Sequence, residues 1–105
     1  MVSGTPRPRG AALSEFQIFE TDEFQKTFGK IAPADQDSIG DKLDSHVYPQ
    51  LRNQPFFGKN IKKLRGYTLA IWRYRIRSYR LFYTVDKDEK IVSMLTIEDR
   101  KEAYR

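Results

Sequence analysis

The chain has no cysteine and only one histidine, His46. The first absence removes any disulfide framework, thiolate metal site or cysteine nucleophile, and the second removes any metal site built from several imidazoles. A Ser–His pair would have to use His46, and nothing in the surrounding sequence marks one. The lack of cysteine also suits a reducing cytosol. No hydrophobic run approaches the length of a membrane span, and the N-terminus lacks the apolar core of a signal peptide. A soluble, cytoplasmic protein with no membrane partner is therefore expected. At 105 residues there is room for one domain and one core. The most telling absence is local. Between Arg52 and Val85 there is no Asp or Glu, whereas Arg52, Lys59, Lys62, Lys63, Arg65, Arg73, Arg75, Arg77 and Arg80 supply nine positive charges. The rest of the chain sums to −4 against a total of +5, so the positive field is concentrated in this one stretch. An arginine-rich block of this kind is the footprint of a polyanionic partner, whereas surfaces that serve solubility alone mix Lys with Glu.

Seven Phe, six Tyr and one Trp provide the large apolar areas that a small core needs. Residues 1–14, with two prolines, two glycines and no apolar period, read as a disordered leader, which leaves residues 15–105 as the domain. Phe16 to Glu20 is a short β run, and Thr21 or Asp22 then offers an N-cap. Phe24, Phe28 and Ile31 give the following helix one apolar stripe. Pro33 suits the first turn of a second helix, whose apolar positions are Ile39, Leu43 and Val47, and Pro49 is expected to end or kink it. His46 falls on this helix as a surface or partly packed residue. Beyond Gly58 the period changes to two, predicting strands over 60–65, 69–77, 79–85 and 91–97, with a turn at Asp86-Lys87-Asp88. A short terminal helical segment is expected over 100–105. The order β-α-α-β-β-β-β means an α+β fold, with two N-terminal helices packed on a largely antiparallel sheet.

Alternation along 69–77 puts Ala70, Trp72, Tyr74 and Ile76 on one face and Leu69, Ile71, Arg73, Arg75 and Arg77 on the other. In a hairpin with the next strand, Arg80 joins the arginine face while Leu81, Tyr83 and Val85 return to the core. Three arginines along one strand repel one another unless an anion lies between them, and the guanidinium fork suits phosphate oxygens. Tyr79, Phe82 and Tyr83 are candidates for stacking on unpaired bases where their rings are exposed, although Trp72, Tyr74 and Tyr83 are better read as core.

The series Lys63-Leu64-Arg65-Gly66, then Trp72 to Tyr83 (WRYRIRSYRLFY), then Asp99 to Arg105 (DRKEAYR) resembles the RelE/ParE superfamily of bacterial and archaeal toxins over about Phe16 to Arg105. The resemblance implies the toxin of a type II toxin–antitoxin pair. For RelE-like members it implies metal-independent cleavage of mRNA in the ribosomal A site, with the ribose 2′-hydroxyl as nucleophile and no cofactor. It also implies a RelB-like cognate antitoxin, acidic and folding on binding. Matched by position, Arg73 and Arg75 correspond to two catalytic basic residues, Arg80 to the arginine of a following YR pair, and Arg100 and Tyr104 to the C-terminal arginine and tyrosine. Arg75 and Arg80 would offset charge on the pentavalent phosphate, Arg100 would assist the leaving oxygen, and Tyr104 would stack on or orient a base. Lys62, Lys63, Arg65 and Arg77 would hold the RNA backbone.

Two departures from the family pattern matter. Arginines stand where some relatives have lysines, which makes them good clamps and poor bases. Asp99 stands where many relatives place a histidine. Glu98 or Asp99 is then a candidate base, set against the plainer reading of a helix start or a solvated turn. Two other functions share the fold: a ParE-like gyrase inhibitor, and a degenerate toxin that only binds its antitoxin.

Overall fold

The computed structural model describes residues 15–66 and 68–99. The expected leader over 1–14 and the expected terminal helix over 100–105 lie outside the described residues. The elements are β1 (Gln17–Glu20), α1 (Asp22–Phe28), α2 (Pro33–Lys42), a π-helical turn (Leu43–Val47), α3 (Tyr48–Asn53), β2 (Ile61–Lys63), β3 (Trp72–Ile76), β4 (Tyr79–Asp86) and β5 (Ile91–Asp99). The strands form a single sheet in the order β1-β5-β4-β3-β2. β1 runs parallel to β5, and the other neighbours are antiparallel. The fold is α+β with its helices before the main run of strands, as the change of period predicts. No described helix is long and apolar enough to cross a membrane.

Local chemistry explains the helix starts. Thr21 is the N-cap of α1, its Oγ1 accepting from the Phe24 amide at 3.1 Å and donating to the Met94 carbonyl at 2.7 Å. One hydroxyl thus both satisfies an orphan amide and fixes the helix to β5. Asp22 and Glu23 follow in the first turn, where the helix dipole favours negative charge. Thr21→Ala should therefore lower the free energy of unfolding by about 1–2 kcal/mol in a urea titration, the upper part of the usual capping range. An unchanged midpoint would show that the β5 contact contributes nothing.

Pro33 occupies the first turn of α2, and Ile39, Leu43 and Val47 are buried at their predicted spacing. Of the two outcomes expected at Pro49, an end or a kink, the helix does not end there but is interrupted just before it. The amide of Tyr48 reaches back five residues to the Leu43 carbonyl, closing the π turn just before α3. This places Pro49 in the first turn of α3, where a missing N–H costs little. Tyr48 and Leu51 can then be buried beyond the proline.

The sheet core lies under these helices. Trp72, Tyr74 and Ile76 of β3, Tyr79, Leu81 and Tyr83 of β4, and Val92, Met94 and Ile97 of β5 are all buried. Their polar ends are satisfied by the helical half and its loop: Tyr74 donates to Gln50 at 2.6 Å, Tyr79 to Asp35 at 2.7 Å and Tyr83 to the Pro55 carbonyl at 2.7 Å, while Tyr48 of α3 donates to Glu20 of β1 at 2.5 Å. Burial and the bond to Asp35 push the Tyr79 hydroxyl up to about 12. These rings are structural, so Tyr79 and Tyr83 are removed from the stacking candidates.

Strand lengths depart from the sequence pattern at the ends. β3 begins at Trp72, and Leu69 and Ala70 are exposed in the loop before it, so Ala70 does not join the core face. β2 is only three residues long, whereas β5 runs on to Asp99. Between Phe82 and Tyr83 the β4–β5 register shifts: Tyr83 pairs with Met94 but Phe82 pairs with Thr96, leaving Leu95 as an extra residue. This bulge reverses the alternation of β5 beyond it.

Candidate nucleic-acid interface

The sheet face turned away from the buried aromatics carries the cationic residues. β3 pairs with β4 so that Arg75 lies directly opposite Arg80 and Arg73 opposite Phe82. On the other side of β3, Lys62 lies opposite Arg73. Directly paired side chains have Cβ atoms about 4.5–5.5 Å apart, so two positive rows meet across three strands. Arg75 is exposed, while Arg73 and Arg80 are partly buried.

Among the described residues, most of this charge is left without a counter-ion. The Nε atoms of Arg73 and Arg80 are buried and have no hydrogen-bond partner among the described residues. Desolvation, followed by the nearby guanidiniums of Arg75 and Arg80, holds the pKa of Arg73 below the ordinary arginine value. Arg80 makes one ion pair, Nη2 to Oε1 of Glu98 at 3.6 Å, with its guanidinium 6.0 Å from the Phe82 ring centre. A buried donor without an acceptor is costly, and like charges this close are costly too. An anion lying across the three arginines would relieve both.

The remaining predicted residues fall in different places. Lys63 lies on the opposite face, across from Trp72 with its Nζ 5.5 Å from the indole centre, because consecutive residues of a strand point opposite ways. Arg65 is exposed in the bend after β2. Arg77 leaves the row predicted for it: it sits in the two-residue β3–β4 turn with φ +51, and its guanidinium donates to Ser38 of α2. A two-residue hairpin needs positive φ at such a position, so the turn decides the direction of this side chain. Arg100 and Tyr104 lie outside the described residues. His46 is exposed and shares a 2.7 Å hydrogen bond with Ser45, on the helical half. Glu98 and Asp99 both end β5, Glu98 paired with Arg80 and Asp99 with Tyr79.

Lys62 and Arg75 are the exposed cations of the row. Clefts of about 360 and 340 Å³ occur elsewhere, one lined by Phe24, Phe28 and Leu43 and the other by Thr27, Asp35 and Tyr79. None of these lining residues belongs to the arginine row. Phe82, half-buried between Arg73 and Thr96 in the pairing, offers an aromatic surface beside it.

Solved structures that share this architecture include chains of RelE–RelB toxin–antitoxin complexes. In the RelBE2 toxin–antitoxin complex from Mycobacterium tuberculosis, a chain is 20% identical with a TM-score of 0.66, over 82% of this chain and 99% of that one. The RelE–RelB complex from Pyrococcus horikoshii gives 18% identity and a TM-score of 0.62, over 82% and 96% of the two chains. A doubly substituted RelE toxin of E. coli in the free state gives 20% identity and a TM-score of 0.59, over 88% and 90%. At these identities the likeness concerns the fold. No curated protein sequence matches significantly. Residues 19–104 match the family described as the ParE toxin of the type II toxin-antitoxin system parDE. That match spans most of the domain and includes the whole cationic face, and the chain therefore belongs to the ParE toxin family, within the RelE/ParE superfamily of type II toxins.

Proposed function

We propose that this toxin halts translation by cutting mRNA in the ribosomal A site. The observation that carries the reading is the cross-strand row of Arg73, Arg75 and Arg80, with two buried guanidinium nitrogens that lack partners among the described residues. In such a reaction the ribose 2′-oxygen attacks the adjacent phosphorus and the 5′-oxygen leaves, so negative charge grows on the phosphate oxygens. Arg75 and Arg80, side by side, are placed to offset that charge without a metal ion. Arg73 and Lys62 extend the positive track for neighbouring phosphates, and Phe82 offers a surface for a base. Arg100 and Tyr104 keep the leaving-group and base-stacking roles that the family resemblance implies. Lys63 and Arg65 would reach the backbone only around the end of β2. A cognate antitoxin is part of the reading, as in the RelE–RelB complexes that share the fold, and so is action in the cytoplasm, where ribosomes are met.

A gyrase-directed activity is the second reading, favoured by the match to the ParE family and by the poor proton-accepting ability of arginine. The two separate cleanly in one experiment. Primer extension on a reporter mRNA in a translating extract should show new 5′ ends within codons when the toxin is added, while purified gyrase supercoils normally in its presence. Intact mRNA together with trapped gyrase–DNA cleavage complexes would reverse the assignment.

A further inference from the structure

We infer that Glu98 is the general base of RNA cleavage, taking the proton from the attacking ribose 2′-hydroxyl; this rests on the RNA-cleaving reading above. The row of arginines can bind and stabilise an anion, but a guanidinium does not readily accept a proton. The cleavage still needs an acceptor near the attacked phosphate. Arg75, Arg80 and Glu98 form one cross-strand line over β3, β4 and β5. The carboxylate is thus next to the arginine that would bind the phosphate, and its side chain is half exposed at 49%, open to a substrate.

The backbone aims it there. Val92 and Met94 point into the core, so uninterrupted alternation along β5 would turn position 98 to the helix side. The extra residue Leu95 reverses the alternation, and Ile97 is buried in its place. Glu98 consequently faces the arginines, while Asp99 pairs with Tyr79 on the other face. Bulges that redirect a side chain are characteristic of functional sites. Another acid of the same face, Asp86, ends β4 six residues from Arg80, which is about 20 Å along a strand. Its Oδ1 accepts from the amides of Asp88 and Glu89 in the β4–β5 turn.

The step balances with water as the only co-reactant. Glu98 takes the 2′ proton, the 2′-oxygen bonds to phosphorus, and the phosphorus–5′-oxygen bond breaks. The 5′-oxygen receives a proton from water, and the products are a 2′,3′-cyclic phosphate and a 5′-hydroxyl. Arg80 holds the phosphate toward Glu98 and Arg75 bears on its far side. These are the charged groups facing the carboxylate from β4 and β3.

The test is single-turnover cleavage of mRNA on programmed ribosomes with wild type, Glu98→Gln and Glu98→Asp, measured across pH. Glu98→Gln should cut about 10²–10⁴-fold more slowly, a typical loss for a general base, with ribosome binding unchanged. It should also lose the limb on which the wild-type rate rises with pH, and Glu98→Asp should restore part of the rate with that limb. A Gln variant that folds by circular dichroism and cuts as fast as wild type, or faster, would reduce Glu98 to a counter-ion of Arg80 and overturn the inference alone. A wild type that cuts no RNA would overturn the nuclease reading and this inference together.

Discussion

Arg80→Ala should slow mRNA cleavage by about 10²–10³-fold and relieve the growth arrest caused by the toxin, with the domain still folded. The size follows from the role proposed for Arg80, which lies across the strand pair from Arg75 and would supply charge where the phosphate becomes more negative. The stability expectation follows from the same contacts. Arg80 has one ion pair at 3.6 Å, a buried Nε without a partner and two like-charged neighbours, so its removal relieves as much as it loses. A change within about 0.5 kcal/mol is expected on chemical unfolding. Arg77→Ala is the informative comparison, because that guanidinium is turned to Ser38 and away from the row. It should lose far less activity. Equal loss in the two variants would mean that net charge acts at a distance and that no phosphate site is built at Arg75 and Arg80. A fully toxic Arg80→Ala would remove Arg80 from the site.

The opposition of Arg73 and Arg75 to Trp72, Tyr74 and Ile76 is legible in the sequence because a strand alternates with a period of two and one of its faces must be apolar. The same rule brings Arg80 onto the arginine face once a tight hairpin is assumed. It fails at Arg77, where turn geometry replaces strand geometry and φ becomes positive. It also separates Lys62 from Lys63, which local charge alone groups together. The relation of Glu98 to Arg80 is not legible at all, since it depends on a bulge set by pairing between β4 and β5. Leu95, the extra residue, carries no glycine-like mark that would reveal it. Pro49 illustrates the reverse case, in which a strong local signal is overridden. Burying Tyr48 and Leu51 keeps the chain helical, and the π turn moves the proline to a tolerated position. Short-range pattern thus defines the faces, while long-range register defines which charged groups meet.

Association with the antitoxin should be strongly salt-dependent in its rate and weakly so in its lifetime. The stretch from Arg52 to Val85 carries nine basic residues and no acidic one, and its arginine row lies on the sheet face turned away from the core. We expect the antitoxin to cover this row with an acidic, partly helical segment that orders on binding. Opposite fields then guide the encounter, and raising ionic strength from about 0.01 M to about 1 M shortens their reach from about 30 Å to about 3 Å. The association rate constant should fall by about 10–10³-fold over that range, the usual span of electrostatic steering. Dissociation depends instead on contacts already formed, including apolar ones that salt does not weaken, so its rate should change little. Stopped-flow mixing at several salt concentrations measures both rates. Arg73→Ala combined with Arg75→Ala should flatten the salt slope if the segment lies on this face, whereas substitutions in α1 or α2 should leave the slope steep. A salt-independent association rate, or a footprint confined to the helical half before Arg52, would mean that the antitoxin neutralises the toxin without touching the arginine row.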